Sequence, residues 1–441
     1  MNQLHRNHDK DQPLFSKKAA PIMLIIGIAF IAANLRAPLT SVGPLVSLIR
    51  DNLYISNTLA GMITTLPLFA FALFSPLVPG MARRLGTEVV LFWSVVLLTL
   101  GLLLRSWAGS LALFLGTAIL GLSISAGNVL IPSLIKKEFP RQVGVMTGVY
   151  SVSMNVFAAL ASGISIPLAV GLSLGWAGAL KIWAILSLTA IVLWIPQLRR
   201  KKQKIAIVDK RTDMDVTDGT AELDAEWKKR NSLGKPVMKE INMWKSPLAW
   251  QVTFYMGLQS MVFYCMVAWL PDILIQQGMN PSNAGWMLSL MQLALIPVTF
   301  VGSVLAGRRA SQQSLVVLGS LCVITGLLGL LFFGGAGLTG LWIIILGIGG
   351  GFTFSLSMMF FSLRTDQADE AARLSGMAQS IGYLLAAFGP MLFGYLHDTT
   401  SSWTIPLTIL IGVAGLCFFA GLGAARDLSV RRALDNKPKV A

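Results

Sequence analysis

The sequence predicts an all-α integral membrane protein of twelve transmembrane helices, arranged as two pseudo-symmetric six-helix bundles. Composition, the spacing of apolar runs and the alternation of basic residues predict it. Of 441 residues 54% are hydrophobic and 12% charged, against roughly 25% charged in soluble domains. A mean hydropathy of +0.69 makes lipid the main solvent of the chain.

A bilayer core about 30 Å thick takes roughly 20 apolar residues per helix. Runs of that kind occupy 21–48, 58–79, 87–104, 109–134, 142–168 and 176–196, then 248–274, 283–306, 312–333, 338–363, 374–396 and 403–424. The ten-residue alternation of a membrane β-barrel is absent. The first run follows about 20 polar residues and is too long for the core of a cleaved signal, so it is expected to stay as an anchor. The division is then a tail (1–20), a six-helix bundle (21–196), a central loop (197–247), a second bundle (248–424) and a tail (425–441).

Basic residues test the division. Of the 35 Lys and Arg, 31 fall on the side of the N-terminus, loop after loop, and without the central loop that side still holds 18. The opposite side holds Arg50 and Arg105, while Arg36 and Lys181 lie within spans. Lys and Arg mark cytoplasmic loops, so both termini are expected in the cytoplasm of a cell membrane. A net charge of +15 spread over short loops sets topology rather than binding nucleic acid. The central loop mixes 13 basic with 8 acidic residues and few large apolar ones, the composition of a solvated tether.

The halves echo each other. Ala60-Gly61-Met62 recurs as Ala284-Gly285-Trp286, Ile119-Leu120-Gly121 as Ile345-Leu346-Gly347, and Met146-Thr147-Gly148 as Leu374-Ser375-Gly376. Three matches in order at nearly one offset indicate an internal duplication. That duplication predicts alternating access around a central site.

Charges inside a bilayer are costly and mark function. None of the 20 acidic residues falls mid-span; Glu88 and Asp272 lie at span ends. Arg36 lies deep in the first span, and with no acid at that depth its five donors need carbonyls, amides, water or an anionic substrate. The alternative is a packing Arg satisfied by neighbouring helices. Lys181 is near enough to a span end to reach headgroups. Pro38 and Pro44 deprive the carbonyls of Asn34 and Thr40 of helical partners, and Pro132 does the same to Asn128. Such openings suit helices that line a polar cavity; interhelical locking is the competing account for Asn128.

The substrate-binding candidates are therefore Arg36, Asn34, Thr40, Asn128 and Asn155. Gln259 and Tyr264 join them because span 7 corresponds to span 1. Other polar intramembrane residues, such as Tyr150, Gln292, Gln379, Ser380 and Tyr383, serve equally well as interhelical contacts. Cys265, Cys322 and Cys417 stand apart in apolar runs, no metal cluster is visible, and Gly347–Gly351 lies in an apolar helix without the strand a nucleotide loop needs. No cofactor is expected.

The stretches Asn34-Leu-Arg-Ala-Pro38, Val42-Gly-Pro44, Thr64-Thr-Leu-Pro67, Asn128-Val-Leu-Ile-Pro132, Lys136-Lys-Glu-Phe-Pro140 and Met146-Thr-Gly-Val-Tyr150 resemble the major facilitator superfamily. More narrowly they resemble its cyanate and 2-nitroimidazole transporter family. The superfamily pattern Gly-x-x-x-Asp-Arg-x-Gly between spans 2 and 3 reads here Pro79-Gly-Met-Ala-Arg83-Arg84-Leu-Gly86, which keeps the last Gly and the Arg but has Arg83 where Asp is usual. By that resemblance Arg83, Arg84 and Gly86, with Pro38, are conformational candidates.

The resulting expectation is a secondary transporter, not an enzyme, that moves a small anionic or nitro-bearing solute with Arg36 in its cavity. The expected working unit is a monomer, and a coupling proton, exchange and uniport stay open. A broader drug or metabolite exporter is the alternative; a proton-coupled exporter of cations would need a mid-membrane carboxylate. A transporter-like sensor and an integral-membrane enzyme complete the field, and the enzyme lacks any visible group of catalytic side chains.

Overall fold

The computed structural model describes residues 19–55, 57–107, 109–198, 241–334 and 337–435. Most of the expected central loop and parts of both tails lie outside these residues. Among the described residues every regular element is helical. Eleven helices are long and apolar enough to cross a membrane, and a bent pair makes the twelfth span.

Span 1 is Ala19–Thr40; span 2 is Asn57–Phe74 continued by Val78–Leu85; span 3 is Thr87–Arg105. Span 4 is Ser110–Glu138, span 5 Val143–Ile166 and span 6 Gly175–Leu198. The second half supplies span 7 (Pro247–Gln276), span 8 (Pro281–Arg308) and span 9 (Gln313–Phe333), then span 10 (Thr339–Leu363), span 11 (Ala368–Thr400) and span 12 (Thr404–Ala424). Spans 7 and 8 start where rules for helix N-termini place them. Ser246 and Asn280 accept from the backbone N–H groups of Ala249 and Asn283, and proline follows each cap.

Three expectations are corrected. Span 1 does not run unbroken to residue 48. It stops at Thr40, passes through a 3₁₀ turn at Gly43–Leu45 and resumes as Val46–Leu53. Pro44 has no N–H to return to Thr40, so it marks a true break rather than a kink. Span 2 bends by 58° between Phe74 and Val78. Span 11 begins earlier than residue 374, because Gln367 and Glu370 form a capping box at its start.

The pairing of helices repeats after six spans. Spans 1 and 5 pack together as 7 and 11 do, spans 2 and 4 as 8 and 10, spans 3 and 4 as 9 and 10. The halves meet where span 5 crosses span 8 and, symmetrically, where span 11 crosses span 2. The duplicated glycines explain these contacts. A Cβ on Gly121 would lie 2.6 Å from Ala70 Cβ of span 2, and one on Gly347 2.5 Å from Met291 O of span 8. A Cβ on Gly148 would lie 2.8 Å from Phe300, and one on Gly376 2.9 Å from Ser75 O, both across the boundary between halves. Small residues let backbones approach, which is how helices associate without a hydrophobic driving force in lipid.

Candidate functional site

Odd-numbered spans start at the end of the bundle where the described chain begins and ends, called here the terminal end; the opposite one is the far end. At the terminal end the two halves are bonded together. Ser133 donates to Ala368 O at 2.6 Å, Ser362 to Pro132 O at 3.1 Å, and Ser380 to Ala72 O at 2.5 Å. Lys136 Nζ donates to Ser362 O at 2.5 Å and to Thr365 O. Gln379 donates to Asn128 O at 2.8 Å. This last acceptor is the carbonyl that Pro132 deprives of its helical partner, so the proline supplies a bond between halves.

Close by, Arg83 lies 3.8 Å from Asp369 at the start of span 11, and Arg373 lies 2.9 Å from the same carboxylate. The Arg83 side chain is 49% exposed, a setting where an ion pair contributes little. Arg84 is exposed, and Gly86 at φ +94° joins the bent second span to span 3 in a conformation suited to glycine. Arg364, expected in a loop, is buried beneath Ala425 and donates to Gln312 Oε1. Burial lowers its pKa to about 10, against the opposing pull of Asp427, so it stays a cation at neutral pH.

Toward the far end the halves separate around a cavity of about 610 Å³. Its walls come from the far-end portions of spans 1 to 5, 7, 8 and 11, and no acidic side chain is among its lining residues. Arg36 sits at the inner part of this wall. Its Nη1 donates to Asn155 Oδ1 at 3.0 Å, and its guanidinium carbon lies 4.8 Å from the ring centroids of Phe263 and Phe354. Each cation–π contact is worth about 0.5–2 kcal/mol. The remaining N–H groups of Arg36 have no protein partner among the described residues. The cation thus belongs to span 1 but is flanked by rings of spans 7 and 10.

The candidates separate into two groups. Arg36, Pro38, Thr40 and Tyr264 line the cavity, with Asn155 behind Arg36. Thr40 also bonds span 5, donating to Ala158 O at 2.9 Å. Asn34, Asn128 and Gln259 do not line it. Asn34 is buried and donates to Phe30 O and to Leu186 O of span 6. Asn128 accepts from Tyr150 at 3.2 Å, and Gln259 donates to Ser260 beside a smaller apolar cavity within the second half.

Sequence reading missed Arg105, Phe263 and Phe354. Arg105 was expected in a far-side loop and is instead 1% exposed, donating through Nη1 to Pro38 O at 2.7 Å. The reason is local. Span 1 ends two residues after Pro38, whose carbonyl lacks a continuing helix, and a cation is the natural cap for that end. A terminal Arg after Leu102-Leu-Leu reads as interfacial, and no sequence signal reveals that a partner helix breaks beside it. Phe263 and Phe354 are hidden among other aromatics of their runs.

The model of the Major Facilitator Superfamily matches residues 22–390. The chain is 45% identical over 93% of its length to the transporter YycB of Bacillus subtilis (strain 168), covering 96% of that protein. It is 38% identical over 93% of its length to the 2-nitroimidazole transporter of Escherichia coli (strain K12), covering 97% of it. With the cyanate transport protein CynX of the same organism the identity is 24% over 86% of this chain and 91% of the relative. Among solved structures the proton:xylose symporter XylE superposes with a TM-score of 0.71 at 13% identity, covering 94% of this chain and 99% of that one, a likeness of fold.

Proposed function

The chain belongs to the Major Facilitator Superfamily, and from that membership we propose that it carries a small solute bearing a carboxylate, nitro or like group across the cell membrane by alternating access, held by Arg36. It is a multi-pass membrane transporter and not an enzyme. One observation carries the choice of solute. The deep cation of the cavity has donors to spare, aromatic rings beside it, and no carboxylate among the residues that line the cavity with it. A half-buried cation left in that condition is stabilised by a ligand that brings the acceptor. Asn155 fixes the guanidinium, Phe263 and Phe354 flank it, and Tyr264 adds an aromatic wall for a flat solute.

The names of relatives agree with this chemistry. They include 2-nitroimidazole and cyanate. The basic bias of the loops supports a cytoplasmic terminal end. The bonded terminal end and the open far cavity then correspond to an outward-facing state.

The test is thermal stabilisation of the purified protein by cyanate, nitrate, nitroimidazoles and simple organic acids, followed by uptake into proteoliposomes. Stabilisation that disappears with Arg36→Ala is expected. Full-rate transport by a folded Arg36→Ala protein overturns the reading.

A further inference from the structure

A second cation faces the same cavity. Arg105, at the end of span 3, is part of the cavity wall and is 1% exposed. One of its donors, Nη1, is committed to Pro38 O at 2.7 Å. The other edge of the guanidinium, Nε and Nη2, is buried with no hydrogen-bond partner. Those two atoms form one side of a rigid planar fork, whose spacing matches paired oxygens of a carboxylate or similar oxyanion. Unpaired donors on a buried cation are costly, and native proteins keep them where something else completes the pairing.

The position of this fork is fixed from both sides. A Cβ on Gly116 of span 4 would fall 2.3 Å from the Arg105 backbone nitrogen, so span 4 presses directly on the residue that carries it. The Pro38 carbonyl holds the opposite edge. The arginine therefore cannot swing to another protein acceptor without releasing the broken end of span 1. The free edge is covered on every side, and the cavity that Arg105 lines is the nearest space from which an acceptor can reach it once a neighbouring side chain moves aside.

We propose that Arg105 is a second oxyanion-binding residue of the cavity, its Nε–Nη2 edge taking two oxygens of one planar oxyanion while Nη1 stays on Pro38. The site is separate from Arg36 and does not require the reading given above for that residue. The oxyanion is either a free inorganic ion or the acidic group of a larger carried solute. Both present the same oxygens to the fork.

The experiment is anion-dependent thermal stabilisation of the full-length Arg36→Ala protein, with nitrate, formate and benzoate as probes and chloride as the single-atom control. An effect of nitrate or formate above that of chloride identifies a free oxyanion; an effect of benzoate alone identifies the acid end of a larger solute. Either supports the proposal if Arg105→Lys, added to Arg36→Ala, weakens it about tenfold. Lysine keeps the charge and the reach to Pro38 O but has no fork. Equal oxyanion affinity with and without the Arg105→Lys change overturns the proposal, as does an Arg36→Ala protein that no oxyanion stabilises. Should the double variant not fold, the unaltered protein decides. A high-resolution structure grown in nitrate is expected to place two oxygens at about 3 Å from Nε and Nη2. An edge that holds water or nothing overturns it. Because the binding is read without Arg36, its failure is distinct from a failure of transport in Arg36→Ala.

Discussion

The Arg36 guanidinium of span 1 lies 4.8 Å from the ring centroid of Phe354 in span 10, so the deepest cation of one half rests on an aromatic ring of the other. Alternating access moves the halves relative to each other around a fixed site. In that scheme a contact that spans them is remade during each cycle, and under the proposed function a solute bound to Arg36 would sense both halves at once. That places the strongest prediction on the charge itself. Replacing Arg36 with Ala removes charge-assisted hydrogen bonds worth about 1.5–3 kcal/mol, so solute affinity should fall about 10- to 150-fold. Arg36→Lys should recover part of it, because an ammonium keeps the charge but not the bond to Asn155 and the planar contact with both rings. Equilibrium binding to purified protein measures both.

The rings make a separate prediction. Phe263→Leu and Phe354→Leu keep apolar volume but remove the π face beside Arg36. Each should weaken solute binding by about 0.5–2 kcal/mol while leaving the melting temperature within a few degrees. Phe354→Tyr should behave almost as the parent. Binding that is unchanged in both Leu variants would show that the rings only fill space.

Much of this arrangement was legible in the residues, and the part that was not has physical causes. Arg36 stood out because it is charged in an apolar run, and Pro132 because proline removes a donor; the structure puts the freed Asn128 carbonyl to use with Gln379. The repeat in Met146-Thr-Gly148 and Leu374-Ser-Gly376 foretold equivalent crossings, and both glycines lie at contacts between halves. Asn34 and Arg105 misled in opposite directions. Asn34 had the expected depth but points to span 6, and Arg105 had the expected interfacial position but is drawn inward by the end of span 1. Depth is written in a sequence; the direction a side chain takes around its helix depends on neighbours that hydropathy cannot name.

The terminal-end seal should be weakened by removing Lys136. Its ammonium bonds Ser362 O and Thr365 O across the boundary, and losing about 2 kcal/mol changes a two-state ratio by about 30-fold. Spin labels at Arg84 and Arg309, both exposed at that end and in different halves, should report longer distances in Lys136→Ala. An unaltered distance distribution would mean that the seal is held by the serine contacts and close packing instead.

Close packing at the same end gives an independent handle. A Cβ on Gly376 meets Ser75 O at 2.9 Å and Pro79 Cγ at 3.1 Å. Gly376→Val cannot be relieved by a flexible neighbour, because a backbone oxygen and a proline ring are what it strikes. The variant should shift the same spin-label distances outward and reduce transport at least tenfold while solute still binds. Loss of binding with loss of transport would point to misfolding, which a melting curve separates.

Orientation is the remaining prediction, and burial of Arg105 sharpens its basis. With that residue drawn into the bundle, Arg50 alone represents Lys and Arg in the far-end connections of the described residues, while the terminal end keeps the basic loops. Such a bias opposes translocation of the terminal-end loops. A fluorescent-protein fusion after Arg309 should therefore glow from the cytoplasm. An alkaline phosphatase fusion after Ser401, at the far end between spans 11 and 12, should be active outside it. The opposite pair of results would turn the cavity of Arg36 to face the cytoplasm and make the bonded end the outer gate. The solute would then meet the cation first from inside.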